Sequence, residues 1–222
     1  FVAGLCMLTL TLTGFVLFGI AVVLGATGRL RLAYRPAIDL PNPAFLETLA
    51  IFLSLLFGLS LAAKVVDHGI NQTAVVLLVS PWAVLWPRVR GVGWRAMRDG
   101  FGWRAGRGLM REAAAGIVGY LAGIPILLVG LIGSILLAHF SDLVPTHPLV
   151  DEVHGRPAIA QAMIFVLAVV WAPLVEETVF RGAFYHHLRR RRSVISSSLI
   201  VSLAFAAVHP QGLVGLPALF AV

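Results

Sequence analysis

Residues 159–181 read IAQAMIFVLAVVWAPLVEETVFR, and this stretch decides how the rest of the chain is interpreted. Its first seventeen positions carry no charge, and it then reaches Glu176, Glu177 and Arg181. A run of this length predicts a membrane helix, because about 20 apolar residues cross the hydrocarbon. Each charge near the bilayer centre costs about 2.5–3.5 kcal/mol on insertion scales, so we expect these three residues to face the protein interior and to serve a function.

The composition of the whole chain also indicates membrane helices. Its 222 residues are 59% apolar and 12% charged, and the mean hydropathy is +0.93, whereas soluble domains are about 25% charged. The apolar residues form about seven runs, so we predict an all-α fold, a polytopic transmembrane helical bundle. The runs are roughly residues 1–25, 45–66, 72–87, 112–138, 159–185, 194–210 and 212–222.

The predicted organisation is a single membrane-embedded helical domain over residues 1–222. It contains a basic interfacial connector at 88–111 and a motif-bearing helix pair at 159–210. Both chain ends lie inside apolar runs, so we expect a fragment of a longer protein with about eight helices. The single cysteine, Cys6, excludes an intrachain disulfide and a cysteine-based metal site.

The basic residues predict the topology. Fourteen of the seventeen Lys and Arg residues lie in three alternate connections, at 26–44, 88–111 and 189–192. Because Lys and Arg mark the cytoplasmic side, we predict a multi-pass protein of the cell membrane with these three loops in the cytoplasm. The net charge of +7 is therefore interpreted as contact with the lipid bilayer, and no nucleic-acid partner is predicted.

The connector contains a short repeat. Gly93-Trp94-Arg95-Ala96-x-Arg98 is followed by Gly102-Trp103-Arg104-Ala105-x-Arg107. Tryptophan together with arginine is typical of a segment that lies at the headgroup level of a membrane. The alternative is a surface on which a substrate docks.

Helical spacing separates the three charged residues of the fifth run. Glu177 and Arg181 are four positions apart with the glutamate first, which favours an ion pair. Glu176 is rotated by about 100° from Glu177 and remains for another role. Pro173 lies three positions earlier and is expected to disturb the helix beside the pair.

A histidine on the next run is predicted to meet Glu176. Glu176 precedes Arg192 by sixteen residues and His209 follows Ser193 by sixteen, so in a helical hairpin both lie about 24 Å from the turn. Phe205 lies one turn from His209 on the same face and is expected to pack beside it. A carboxylate and an imidazole at one depth can activate water for hydrolysis.

Two other interpretations of the cluster stay open. The charged residues could be satisfied polar contacts in a non-catalytic membrane protein, such as an immunity or scaffold factor. They could also form a proton relay in a transporter, which uses the same residue types. The loop histidines at 139, 147 and 154 lie near acidic residues, but their spacing fits no standard metal-ligand pattern.

A family resemblance follows from these motifs. Glu176-Glu177-x-x-x-Arg181, followed by Phe205-x-x-x-His209, resembles the first two motifs of the CAAX-protease and bacteriocin-processing family of intramembrane endopeptidases. The resemblance implies a glutamate-dependent protease with a membrane-associated peptide or protein substrate, prenylated substrates included. It assigns water activation to Glu176 and assistance to His209. It gives Glu177, Arg181 and Phe205 supporting roles.

The resemblance also carries two expectations about what completes the site. The glutamate-peptidase account needs no metal, so no cofactor and no metal ligand is predicted, and a divalent metal stays an open alternative because family members are often labelled metalloproteases. The family has a third motif, His-x-x-x-Asn or His-x-x-x-Asp, that is thought to stabilise the oxyanion. Nothing between His209 and Val222 matches it, so we expect that motif in the longer protein.

Overall fold

The computed structural model of the chain describes residues 2–30, 43–65, 78–104, 106–141, 153 and 155–222. These residues form helices and turns and contain no β-strand, which confirms the predicted all-α class. We number the α-helices in chain order, and a 3₁₀ helix (Ser80–Leu85) precedes the third of them. They are α1 (Val2–Ala26), α2 (Ala44–Val65), α3 (Trp86–Val89), α4 (Trp94–Phe101), α5 (Leu109–Ser141), α6 (Ala158–Arg189), α7 (Val194–Val208) and α8 (Gly212–Ala221).

Four of the described helices, α1, α2, α5 and α6, are long and apolar enough to cross a membrane. Helices α7 and α8 are apolar but have only 15 and 10 residues, fewer than the roughly 20 that span hydrocarbon. Part of the predicted third run, 72–77, lies outside the described residues. Its last part is the 3₁₀ helix followed by α3, and each begins with a proline in its first turn, at Pro81 and Pro87.

The long helices expose most of their apolar side chains. Only 6% of the spanning window of α1 is buried, and 11% of the windows of α5 and α6. Soluble proteins rarely expose apolar surfaces of this extent. The helices therefore have the surface of a multi-pass membrane protein, as the sequence predicts. The cell membrane as its location and the cytoplasmic side of the basic loops stay predictions.

The helices form two compact units. In the first, α1 and α8 pack against α5 at glycines. A Cβ atom on Gly14 would lie 2.7 Å from the carbonyl oxygen of Leu121, and one on Gly130 would lie 2.6 Å from the carbonyl oxygen of Pro217. Small residues allow such close approach, which drives helix association where both lipid and protein are apolar. The backbone N–H of Ala218 also donates to Ser134 Oγ at 3.2 Å.

The second unit positions the motif helix. It is built from α2, the 3₁₀ helix, α3, α4 and α6, with the first half of α7. Phe180 of α6 is fully buried and meets Phe52 of α2 edge to face, with ring centroids 6.0 Å apart. Gly182 of α6 approaches the backbone of Phe101 in α4, since a Cβ atom there would lie 3.0 Å from its carbonyl oxygen. One side of α6 is thus fixed by close packing.

A polar contact fixes the start of the connector to α2. Trp86 Nε1 donates to Glu47 Oε2 at 2.6 Å, and Arg90 Nε lies 2.9 Å from the same oxygen. The carboxylate therefore binds both ends of α3. Trp86 and Glu47 are 39 positions apart in the chain, so this long-range contact sets where the described part of the connector begins.

The close approach at Gly130 can be tested by a one-methyl change. Gly130→Ala places its Cβ against the Pro217 carbonyl, a backbone atom that cannot turn aside, so we expect a loss of about 1–3 kcal/mol of stability. Gly123→Ala is the control in the same helix, because no atom lies within 4 Å of its Cβ position. Thermal unfolding of the detergent-solubilised variants should show a lower Tm for Gly130→Ala alone, and equal Tm values would contradict the described packing.

Candidate active site

Helix α6 widens on both sides of the turn that carries Pro173 and Glu176. Leu167–Trp171 and Glu177–Tyr185 are π-helical, and the α-helical residues between them are Ala172–Glu176. Pro173 has no N–H, and its ring would clash with the carbonyl oxygen four positions earlier. In the wider turn before it, the N–H of Ala172 donates instead to the Leu167 carbonyl, five positions back. The predicted disturbance at Pro173 is thus a change of helix type within a continuous helix, a feature frequent at functional sites.

The predicted ion pair between Glu177 and Arg181 forms. Arg181 Nη1 contacts Glu177 Oε1, and both residues lie in the second π-helical segment. The two side chains are partly exposed, Arg181 by 42% and Glu177 by 52%. In the described residues the pair therefore does not have the enclosed environment expected from the sequence. The pairing itself follows from the spacing, since positions four apart lie on one side of a helix.

Glu176 occupies a different environment from its neighbour. It is the last residue of the α-helical turn between the π-helical segments and is half-buried, whereas Glu177 is exposed. The adjacent Val175 and Thr178 are both buried. The environments of the two glutamates differ, as the predicted 100° rotation implies.

His209 lies just after α7, where Pro210 changes the backbone hydrogen bonds. Pro210 has no N–H, so the Ala206 carbonyl lacks its normal donor four residues on and accepts the His209 N–H instead, at 3.4 Å. The Phe205 carbonyl is then bonded by the imidazole, whose Nδ1 lies 2.6 Å away. A carbonyl oxygen only accepts, so Nδ1 carries the proton and Nε2 is the basic nitrogen of the neutral ring.

Phe205 also packs on His209 through its ring. The two ring centroids are 4.1 Å apart with an angle of 46° between the planes. The side chain of Phe205 therefore holds the imidazole on one face while its carbonyl fixes the tautomer. Glu176 belongs to one compact unit and His209 to the other, so their matched depth stays a prediction.

The repeat in the connector does not produce two similar structures. Gly93 has an extended conformation and precedes α4, whereas Gly102 has φ of +77° and ends the same helix. The tryptophans that follow the two glycines come together, with the rings of Trp94 and Trp103 6.4 Å apart. The repeat thus forms one short helix, α4, with a tryptophan near each end. The interfacial position of the connector stays a prediction.

A contact between this connector and the motif helix is not indicated by the sequence motifs. Trp103 Nε1 donates to Thr178 Oγ1 at 3.2 Å, and Thr178 Oγ1 donates to the Leu174 carbonyl at 2.8 Å. Thr178 stands two residues after Glu176. The only signal in the sequence is the tryptophan repeat, which gives no partner for either ring.

The remaining histidines do not form a metal site in the part of the chain that is described. There, no group of three or more His, Cys, Asp or Glu side chains is placed to hold an ion. His139 lies in the last turn of α5, whereas His147, His154 and the acidic residues between them lie outside the described residues. His186 is buried in α6.

Comparison with known proteins gives one match. The family model described as Rce1-like, Type II CAAX prenyl endopeptidase Rce1-like, matches residues 158–222. No curated protein and no solved structure matches the chain. The matched residues comprise α6, α7 and α8 and include both motifs, from Glu176 to His209. The predicted recognition is therefore confirmed over this segment, in which the chain is similar to Rce1-like type II CAAX prenyl endopeptidases.

Proposed function

We propose that this protein is an intramembrane endopeptidase that hydrolyses a peptide bond in a membrane-associated substrate, with water activated by Glu176 and assisted by His209. The observation that carries the proposal is the family match over residues 158–222, which contains both motifs, on the apolar helices α6 and α7 and the turn that follows them. The family name supports a protease of CAAX proteins, prenylated substrates included. The glutamate mechanism and the roles of the individual residues are our proposal.

In the proposed reaction the Glu176 carboxylate removes a proton from water. The resulting hydroxide adds to the carbonyl carbon of the scissile bond, and a tetrahedral intermediate with a negative oxygen forms. When the carbon–nitrogen bond breaks, the proton held by Glu176 passes to the leaving amine. A half-buried carboxylate suits this use as base and then as acid.

The tautomer of His209 supports its proposed role. Because Nδ1–H is bonded to the Phe205 carbonyl, the basic Nε2 is the atom that can orient the water or accept a hydrogen bond from it. The adjacent Phe205 ring, tilted by 46° to the imidazole, limits its rotation. Because the ring is already held in place, less entropy is lost when the imidazole is positioned for the reaction.

The ion pair of Glu177 and Arg181 is proposed to support the site rather than to react. Their contact neutralises two charges that would each be costly beside hydrocarbon. It also allows Glu176 to keep its own charge without a second uncompensated carboxylate next to it. The pair is therefore expected to affect activity indirectly, through the conformation and electrostatics of α6.

The central experiment replaces Glu176 by glutamine. We expect Glu176→Gln, reconstituted in proteoliposomes, to cleave a farnesylated CAAX peptide with a fluorophore and a quencher at least about 10²-fold more slowly than wild type, because the base is lost. Its thermal stability should match wild type, since the amide has the same shape. Glu177→Gln should lose less activity, and Glu112→Gln in α5 should lose none.

The outcomes separate the proposed function from its alternatives. Undiminished cleavage by Glu176→Gln would show that another group activates the water. No cleavage by wild type, with or without the prenyl group, would favour the non-catalytic interpretation. Proton-dependent flux without cleavage would favour a transporter. If a chelator abolished cleavage and a divalent cation restored it, a metal-dependent mechanism would replace the metal-free one.

A second experiment separates the chemistry of His209 from its structural bond. His209→Asn places an amide N–H at the position of Nδ1, so the bond to the Phe205 carbonyl can be kept while the basic Nε2 is lost. We expect it to fold as wild type and to lose about 10²–10⁴-fold in kcat. His209→Ala should lose both activity and thermal stability. Wild-type cleavage by His209→Asn would contradict the assigned role.

A further inference from the structure

An open cavity lies beside the motif helix, within the second compact unit. Its volume is about 510 Å³, in the size range of ligand sites, about 300–1,000 Å³. One wall comes from the 3₁₀ helix, where Trp82 and Leu85 are 65% and 39% exposed. The lining is almost wholly apolar, which suits hydrocarbon and not a charged ligand.

The motif helix and the connector form the other walls. Trp171, Leu174 and Thr178 line the cavity along one side of α6, at spacings of three and four residues. Trp103, the last tryptophan of the connector repeat, also lines the cavity and donates a hydrogen bond to Thr178. The exposed Leu174 and Trp171 leave this apolar surface accessible from the side of the helix.

The connector next to this cavity carries an excess of positive charge. Between residues 88 and 104 it has five arginines and one acidic residue, Asp99. Arg90 is paired with Glu47 of α2, and Arg104 is paired with Asp99. The other three, at positions 88, 95 and 98, are exposed and form no ion pair within the described residues.

One of these arginines, Arg98, is bonded through its backbone to a residue of the cavity wall, and Arg95 is its neighbour on the same helix. The Arg98 carbonyl accepts the backbone N–H of Trp103 at 2.9 Å, and Arg95 lies three residues before Arg98 on the exposed side of α4. The ring of Trp94 contacts the ring of Trp103. Exposed arginines and tryptophans thus adjoin an apolar cavity, which is the arrangement that matches a phospholipid with a charged head and hydrocarbon chains.

We propose that this cavity binds an acyl chain of an anionic phospholipid whose headgroup contacts Arg95 and Arg98. The apolar lining selects a hydrocarbon chain, and the unpaired charge of the connector selects a negative headgroup over a zwitterionic one. An isoprenoid chain would use the apolar lining but would have no need of the arginines. Binding of this lipid is independent of the proposed peptidase activity and is measured without a peptide substrate.

Tryptophan fluorescence gives a direct assay, because Trp82, Trp103 and Trp171 all line the cavity. The protein is reconstituted in phosphatidylcholine nanodiscs with a small, increasing fraction of phosphatidylglycerol brominated on its acyl chains. Brominated phosphatidylcholine at the same fractions measures collisions with bulk lipid. We expect the phosphatidylglycerol to add a saturable component of quenching that the phosphatidylcholine lacks.

Matched variants test whether the saturable quenching depends on the arginines and on the apolar lining of the cavity. Arg95→Gln and Arg98→Gln should each weaken it by about fivefold, and Arg29→Gln, the same charge change at the end of α1, should not. Leu85→Gln/Leu174→Gln should remove it, and Leu199→Gln, at an exposed position of α7, controls for a polar change in a membrane helix.

Three results would overturn the proposal. Equal quenching by the two brominated lipids would show no site selective for anionic lipid. Full saturable quenching in Leu85→Gln/Leu174→Gln, with wild-type thermal stability, would show that the headgroup binds without the cavity. If farnesol displaced the brominated phosphatidylglycerol, and did so equally well in the arginine variants, the cavity would be an isoprenoid site instead.

Discussion

Backbone hydrogen bonding in the membrane helices is the constraint on which the candidate site depends. In hydrocarbon an unsatisfied N–H or carbonyl costs several kcal/mol, so a helix that contains proline must find new partners for the groups the proline leaves. Helix α6 does so by widening before Pro173, and the turn that follows carries Glu176. The end of α7 does so at Pro210, where the carbonyl of Phe205 accepts the ring of His209. Each proposed catalytic side chain thus lies within three residues of a proline, and at His209 the adjusted backbone bonding holds the ring.

The ion pair shows how the same constraint applies to charge. Glu177 and Arg181 contact each other, yet about half of each side chain is exposed in the described residues. Facing lipid, each charge would cost about 2.5–3.5 kcal/mol near the bilayer centre, and pairing offsets only part of that cost. This side of α6 is therefore expected to meet water or protein and not hydrocarbon. A water-accessible surface beside Glu176 is also what hydrolysis requires, because the reaction consumes a water molecule.

Features fixed by local spacing could be predicted from the sequence. The long apolar runs gave α1, α2, α5 and α6 nearly to their ends, and the four-residue separation gave the pair of Glu177 and Arg181. The widened turns could not be predicted, because Pro173 is equally compatible with a kink. The bond from Trp103 to Thr178 joins residues 75 positions apart, and no helical period encodes such a contact. By contrast, the runs at 194–210 and 212–222 gave the bounds of α7 and α8 to within two residues.

The contacts that hold the helices together follow from the weakness of the hydrophobic effect between membrane helices. Lipid chains are as apolar as leucine, so large apolar side chains gain little by leaving lipid for protein. The close contacts are instead at glycines, such as Gly130 and Gly182, and at polar side chains, such as Ser134 bonded to the N–H of Ala218. Leucine, alanine and valine are the commonest residues, yet many of the leucines and valines are exposed. The residues that specify how these helices pack are therefore the small and polar ones, including the threonine that links the motif helix to the connector.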